Sequence, residues 1–186
     1  IRKLNPYQIV LCSYAVIIFT GTMLLMLPIT VVDMEPLNFV DALFMAASAV
    51  CVSGVSIFDL GNNFSIFGQM VIITLVQIGA LGIMTITTIL AVVMGKRIQL
   101  RDRLLIQESL QRWSVAGVVR LVIIIVKLTL IFEFIGGVLL TLIFYQDYNI
   151  IIAIYYGFWH SVSAFCNAGF DILGGSVFSE YIFHPL

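Results

Sequence analysis

The chain has 186 residues, of which 61% are hydrophobic and only 10% charged, and its net charge is −1. This composition excludes a soluble globular domain and predicts an all-α polytopic membrane protein. No basic stripe with interleaved aromatic residues is present, which argues against a nucleic-acid partner.

The first apolar stretch covers residues 7–32 and follows Arg2 and Lys3. It is long enough to cross a membrane with some tilt, and it is too long for a secretory signal. Pro28 is expected to kink or end this helix near its outer end. The sequence does not begin with Met, so we expect the numbering to start inside a longer protein.

A second apolar stretch, residues 39–50, is too short to cross. A helix of this length covers about 18 Å, whereas the hydrocarbon core is about 30 Å thick. The residues after it are small or β-branched and suit an extended backbone that returns to the same surface. They are Cys51, Val52, Ser53, Gly54 and Val55. Non-helical backbone at this depth must line a water-filled path or be buried in protein.

The next stretch, residues 64–94, carries no charge and predicts the second full membrane span. Gly79 and Gly82 lie three residues apart within it, on one helical face. They indicate either close helix packing or room beside a pore.

Residues 96–118 follow as a charged segment with interspersed apolar residues, which predicts an amphipathic helix at the membrane surface. Its basic residues include Lys96, Arg97, Arg101, Arg103 and Arg112. Residues 4–95 and 128–186 contain no Lys or Arg. By the positive-inside rule, the amino terminus and this segment are cytoplasmic, and both half-length helices enter from outside.

A third span is predicted from Arg120 to about Tyr145, and Glu133 is the one acidic residue within it. A carboxylate inside the membrane indicates a buried partner or a function. Three roles stay open for Glu133: a structural hydrogen bond in the bundle, binding of a coupling ion, and gating.

The second half-length stretch, residues 150–165, repeats the first one. Displacing the sequence by 115 residues aligns Ser48, Ala49, Cys51 and Gly54 with Ser163, Ala164, Cys166 and Gly169. The second extended segment is Cys166, Asn167, Ala168, Gly169 and Phe170. His160, in the helix before it, is expected to pack or to form hydrogen bonds rather than to bind an ion.

A pore is the physical reason to repeat such a unit. Short helices around one axis point their negative carboxyl ends at it, and the extended carbonyls replace the water of an ion. Glycine then allows the backbone to approach the ion with the required dihedral angles. Cys12, Cys51 and Cys166 suggest neither a disulfide framework nor a metal site. No nucleophile stands beside a base, so an enzyme is not expected.

These motifs resemble a known family. The order of these segments is similar to that in the membrane subunit of bacterial Ktr-type potassium transporters. The segments are, in turn, a span, a half-length helix, Cys-Val-Ser-Gly-Val, the second span with residues 77–85, the basic segment 95–103 and the segment 165–171. These transporters belong to the Trk/Ktr/HKT superfamily. The two extended segments resemble the family's first and second selectivity filters, and Gly54 resembles the potassium-conducting branch.

The resemblance implies potassium uptake across the plasma membrane, no covalent cofactor, and filter carbonyls as the potassium ligands; sodium as a second ion is left open. It implies four repeats with one filter glycine each, a homodimer, and a cytoplasmic ring of nucleotide-binding regulatory subunits. Residues 1–95 would be the first repeat, 96–118 the cytoplasmic segment, and 119–186 a second repeat without its final span. We therefore expect that the remaining two repeats lie outside this chain.

Two alternatives stay open. The chain could be a non-conducting assembly module whose half-length helices only pack within a larger complex. The basic segment could contact the regulatory ring, or it could only bind anionic lipid, where each charge contributes about 1 kcal/mol.

Overall fold

The computed structural model describes residues 6–82 and 118–174. The elements are α1 (Pro6–Leu25), a 3-10 turn (Pro28–Thr30), α2 (Phe39–Val50), α3 (Leu60–Asn63), α4 (Ile66–Leu81), α5 (Val118–Phe144) and α6 (Ile150–Phe165). Extended backbone in these ranges is confined to the connections, where Val31 and Phe64 form an isolated bridge. The predicted all-α fold class is confirmed.

Helix α1 is shorter than the predicted first span, because it ends at Leu25, before the proline. Pro28 starts the 3-10 turn, where its missing N–H and fixed φ are tolerated. The expectation that Pro28 ends the helix is therefore confirmed. Twenty residues still extend about 30 Å, enough for the hydrocarbon core. The Ser65 N–H then donates to the Thr30 carbonyl at 2.9 Å, which holds the end of this connection against the start of α4.

The two half-length helices, α2 and α6, have the bounds that the sequence predicts. Helix α2 has 12 residues and α6 has 16, about 18 Å and 24 Å at the usual rise per residue. Helix α2 packs between α1 and α4, where Met45, Ala46 and Ala49 are fully buried. A short helix surrounded by protein avoids exposing its unpaired terminal carbonyls to lipid.

The described part of the predicted second span contains a helix that ends before residue 94. Helix α4 ends at Leu81, and Gly82 adopts φ +76°, a left-handed conformation that stops the helix. The expectation of one helix through residue 94 is therefore wrong for the described part, since apolar composition alone does not show a glycine break. Residues 83–117, which include the rest of this span and the amphipathic segment, lie outside the described residues.

Among the described helices, one segment, Val122–Phe144 of α5, is long and apolar enough to cross a membrane by length and composition. The shorter apolar helices are Val10–Leu25, Phe39–Val50, Ile66–Leu81 and Ile150–Phe165. Large apolar side chains remain exposed along α5, including Leu130, Phe132 and Phe134. Exposed apolar stripes on apolar helices suit contact with lipid. The chain is an all-α membrane protein.

Gln69 joins the two halves of the fold. Its side-chain nitrogen donates to the Leu60 and Phe64 carbonyls, both at 3.0 Å. Its side-chain oxygen accepts a hydrogen bond from the Tyr155 hydroxyl at 2.8 Å, and its carbonyl accepts one from the Trp159 indole N–H at 3.2 Å. A single buried residue of α4 thereby fixes α6, and with it the second extended segment, against the first half.

Candidate ion selectivity filter

The two extended segments share an unusual backbone. In the first segment, Val52 has φ +54° and Gly54 has φ +69°; in the second, Asn167 has φ +58° and Gly169 has φ +71°. Positive φ is uncommon outside glycine and most strained for a β-branched residue such as valine. The residues between them do not have positive φ. A backbone that alternates the sign of φ in this way can present successive carbonyls on one side.

Each segment is tied to the helix before it by an equivalent pair of hydrogen bonds. The Ser48 hydroxyl donates to the Val55 carbonyl at 2.6 Å, and the Ser163 hydroxyl donates to the Phe170 carbonyl at 2.9 Å. A backbone hydrogen bond also recurs in both repeats. In the first, the Ser53 N–H donates to the Ser48 carbonyl at 3.0 Å. The amide of Ala168 donates to the Ser163 carbonyl at 2.8 Å. The repeat therefore extends from residue identity to hydrogen bonding, and the two serines hold the ends of the segments.

Helices α2 and α6 end where these segments begin. Cys51 and Cys166 cap them with helical dihedral angles, and their N–H groups donate back to Ala47 and Val162. The carboxyl end of a helix carries a partial negative charge from its unpaired carbonyls. Both segments therefore start in a field that favours cations.

The two predicted filter glycines have different surroundings. A Cβ atom added to Gly54 would overlap the carbonyl oxygen of Ala168, so the two segments lie side by side and only glycine fits there. A Cβ atom added to Gly169 would meet no atom within 4 Å among the described residues. Any side chain at Gly169 would be strained by its positive φ alone.

The two segments that hold the ten predicted filter residues meet at Gly54 and Ala168, and their side chains are not equivalent. Cys51 and Val55 are exposed, whereas Cys166, Ala168 and Phe170 are buried. The buried side chains of the second segment belong to the same apolar core as α2 and α4. The second segment is therefore anchored from behind by its own side chains.

The predicted hydrogen-bonding role of His160 is confirmed. Its Nδ1 lies 2.7 Å from the Tyr156 carbonyl, and its Nε2 lies 3.0 Å from Asp171 Oδ1. Aromatic rings of Phe144 and Trp159 flank it, with centroids 5.6 Å and 5.5 Å away. The sequence did not identify Asp171 as its partner, because the two are brought together only by the reversal of the chain after α6.

Glu133 lies in α5 and is 6% exposed. Gln77 of α4 hydrogen-bonds to its side chain, and Oε1 has no hydrogen-bond partner among the described residues. Gln77 also accepts a hydrogen bond from the thiol of Cys166, with Oε1 and Sγ 3.4 Å apart. Of the roles left open for Glu133, the structural hydrogen bond now has a partner, and that partner touches the second segment.

The five basic residues of the predicted regulatory contact lie outside the described residues, as do the segments on either side of them. They are Lys96, Arg97, Arg101, Arg103 and Arg112. Within residues 6–82 and 118–174, His, Cys, Asp and Glu side chains form no group of three or more that could hold a metal ion. The cation-ligand atoms common to the two segments are backbone carbonyl oxygens.

Taken together, the described residues form a helical membrane protein in which a half-length helix followed by an extended segment with positive φ occurs twice. A family model described as TrkH, cation transport protein, matches residues 1–181. The chain belongs to the TrkH family of cation transport proteins.

Curated relatives agree with this assignment. The chain is 35% identical to the potassium/sodium uptake protein NtpJ of Enterococcus hirae, over 96% of this chain and 40% of that protein. It is 36% identical to Ktr system potassium uptake protein B of Bacillus subtilis, over 98% of this chain and 40% of the relative. Ktr system potassium uptake protein B of Vibrio alginolyticus is 35% identical, over 96% of this chain and 39% of that protein. The chain thus spans about two fifths of the length of these relatives.

Proposed function

We propose that this chain is part of a potassium uptake protein and that residues 51–55 and 166–170 are two strands of its ion selectivity filter. The observation that carries the proposal is the left-handed backbone that recurs 115 residues apart, at Val52 and Gly54 and again at Asn167 and Gly169. Strain of this kind persists only where the surrounding structure enforces it, and it clusters at functional sites. The serine hydrogen bonds enforce it here in both repeats.

In the proposed mechanism, carbonyls of the two strands replace the hydration shell of a potassium ion. The carboxyl ends of α2 and α6 add a favourable field without any charged side chain at the ion. Transport then needs no catalytic residue. The relatives' names include sodium once and potassium three times, which supports potassium as the main ion and sodium as the competitor to test.

The wider assembly is also part of the proposal. Two adjacent strands line only part of a ring, so we infer that the remaining two repeats of the polypeptide supply the others. The charge distribution supports a cytoplasmic amino terminus and a cytoplasmic segment 96–118. The resemblance to Ktr-type transporters implies a homodimer and a regulatory ring that contacts this segment. Charge reversal at Arg101 and Arg103 tests the last point. It should weaken co-purification of the ring, whereas loss of membrane insertion alone would favour lipid contact.

Gly169→Ser in the complete protein tests the filter. Gly82→Ser is a matched control, because Gly82 also has a left-handed backbone, φ +76°, and among the described residues its added Cβ would meet only the Tyr14 hydroxyl at 3.9 Å. Each substitution strains the backbone by about 1–2 kcal/mol. We expect Gly169→Ser to lower the potassium-over-sodium selectivity of purified protein in liposomes by tenfold or more, and Gly82→Ser to change only protein yield.

Equal selectivity in the two variants would contradict the filter and favour a non-conducting assembly module. In that case the glycine serves only packing, and the yield of Gly169→Ser falls while the selectivity of the surviving molecules stays intact.

A further inference from the structure

The two filter strands are each held from behind by one contact between the pore helix and the residue that follows the strand. In the first repeat, the Ser56 hydroxyl lies 3.6 Å from the Met45 sulfur. In the second repeat, the equivalent positions, 115 residues on, are Asp171 and His160, whose side chains are 3.0 Å apart. The equivalent positions thus meet through a weak thioether acceptor in one repeat and through a histidine and a carboxylate in the other.

The His160–Asp171 pair is part of a small hydrogen-bond network. His160 Nδ1 lies 2.7 Å from the Tyr156 carbonyl oxygen, and its Nε2 lies 3.0 Å from Asp171 Oδ1 and 3.4 Å from the Ile172 amide nitrogen. The Asp171 carboxylate also accepts the Leu173 N–H at 2.7 Å. The residues that follow the second strand are therefore bonded both to the His160 ring and to one another.

The pair is also well placed to resist movement. The side chain of His160 is only 4% exposed, and it lies between the rings of Phe144, Tyr156 and Trp159. The ring cannot follow the strand outward without losing these contacts. Asp171 directly follows Phe170, the last residue of the second strand, so its position sets where that strand ends.

We propose that His160 and Asp171 are positioning residues that determine selectivity: their side-chain contact fixes the spacing of the second filter strand, residues 166–170, against pore helix α6. The inference rests on the proposed filter function and goes beyond it by assigning a role to side chains that face away from the ion. At the equivalent position of the first strand, the Ser56 hydroxyl donates to the Phe58 carbonyl and lies 3.6 Å from the Met45 sulfur.

The first repeat provides the replacement pair for the test. In the complete protein, His160→Met and Asp171→Ser should each lower potassium-over-sodium selectivity in liposomes by about tenfold, the effect of one lost hydrogen bond to a charged group. The double variant His160→Met/Asp171→Ser installs the first repeat's pair and should return to within about threefold of the original selectivity. If Asp171→Ser yields no folded protein, Asp171→Asn is measured in its place. It keeps the shape of the side chain and removes its charge, and it should also lower selectivity.

Asp33→Ser is the control, because it removes one acidic charge from an exposed connection. Its selectivity should stay unchanged, and a loss equal to that of Asp171→Ser would overturn the proposal in favour of general attraction of cations. Single variants with unchanged selectivity, or a double variant whose loss is the product of the two single losses, would also overturn it. Gly169→Ser in the same assay separates the two claims: if it lowers selectivity while the pair variants do not, the filter stands and the positioning role fails.

Discussion

Ser48 and Ser163 make the same contact in the two repeats, since each holds the last carbonyl of its proposed filter strand to the helix before it. Both are buried, with 5% and 2% exposure. A buried hydroxyl that meets a strained strand stabilises the one conformation in which its hydrogen bond forms. These serines therefore belong to the site although neither is expected to touch an ion.

We predict that Ser163→Ala lowers the free energy of unfolding by about 1 kcal/mol, because the Phe170 carbonyl loses its donor inside the protein. It should also reduce the stabilisation that potassium gives over sodium in a thermal unfolding experiment, since the strand is less well held. Thr74→Ala is the control, because the Thr74 hydroxyl bonds to the Met70 carbonyl on the exposed face of α4. A Ser163→Ala protein that behaves like Thr74→Ala would contradict the role of Ser163.

The sequence predicts part of this detail. The register of the repeat includes both serines, because identical residues recur at identical spacing. The acceptors could not be predicted, since Val55 and Phe170 face the serines only after the chain reverses. The contacts of Gln69 with Tyr155 and of Gln77 with Glu133 were missed for a related reason: their partners come from other elements.

Helix α4 supports pore helix α2 through a close backbone contact. A Cβ atom added to Gly79 would overlap the carbonyl oxygen of Val50, the last residue of α2. Of the two readings left open for Gly79 and Gly82, close packing therefore applies to Gly79. Because Val50 immediately precedes the first filter strand, a displacement of α4 would move the start of that strand.

Gly79→Ala tests this support. We expect it to lower stability by 1–3 kcal/mol, the usual range for overpacking, because rigid backbone must shift. Gly21→Ala is the matched control in α1, where the added Cβ would overlap only the ends of the flexible Leu75 side chain, at 2.8 Å, and would lie 3.4 Å from Ala46 Cβ. Thermal unfolding of the purified proteins compares the two, and an equal or larger loss for Gly21→Ala would show that the Gly79 contact is not specific.

Helix bounds were predictable where the sequence itself marks both ends. The half-length helices α2 and α6 are bounded by polar residues before them and by the small residues of the filter strands after them. Helix α4 was predicted to be too long, because a glycine within an apolar run is compatible with a continuous helix. The left-handed turn at Gly82 depends on surroundings that hydropathy does not describe.

The two repeats form one structure and not two independent units. Gly54 of the first strand meets the Ala168 carbonyl of the second, and Gln69 binds residues of both repeats. Side-by-side strands with matching φ values are compatible with the proposed ion path, in which backbone carbonyls surround the ion. The family, the membrane class and the positions of both strands were predictable from the sequence, because each depends on patterns that repeat along the chain. The relation between the two strands was not, since it arises from packing.

The central claim is that the carbonyls of residues 51–55 and 166–170 bind a dehydrated cation. A crystal of the complete protein in rubidium, a heavier stand-in for potassium, tests it through anomalous scattering. The account predicts anomalous peaks within about 3 Å of carbonyls from both strands, and weaker or no peaks there in the Gly169→Ser protein. Well-ordered strands with no peak beside either of them, in crystals that bind rubidium elsewhere, would contradict it.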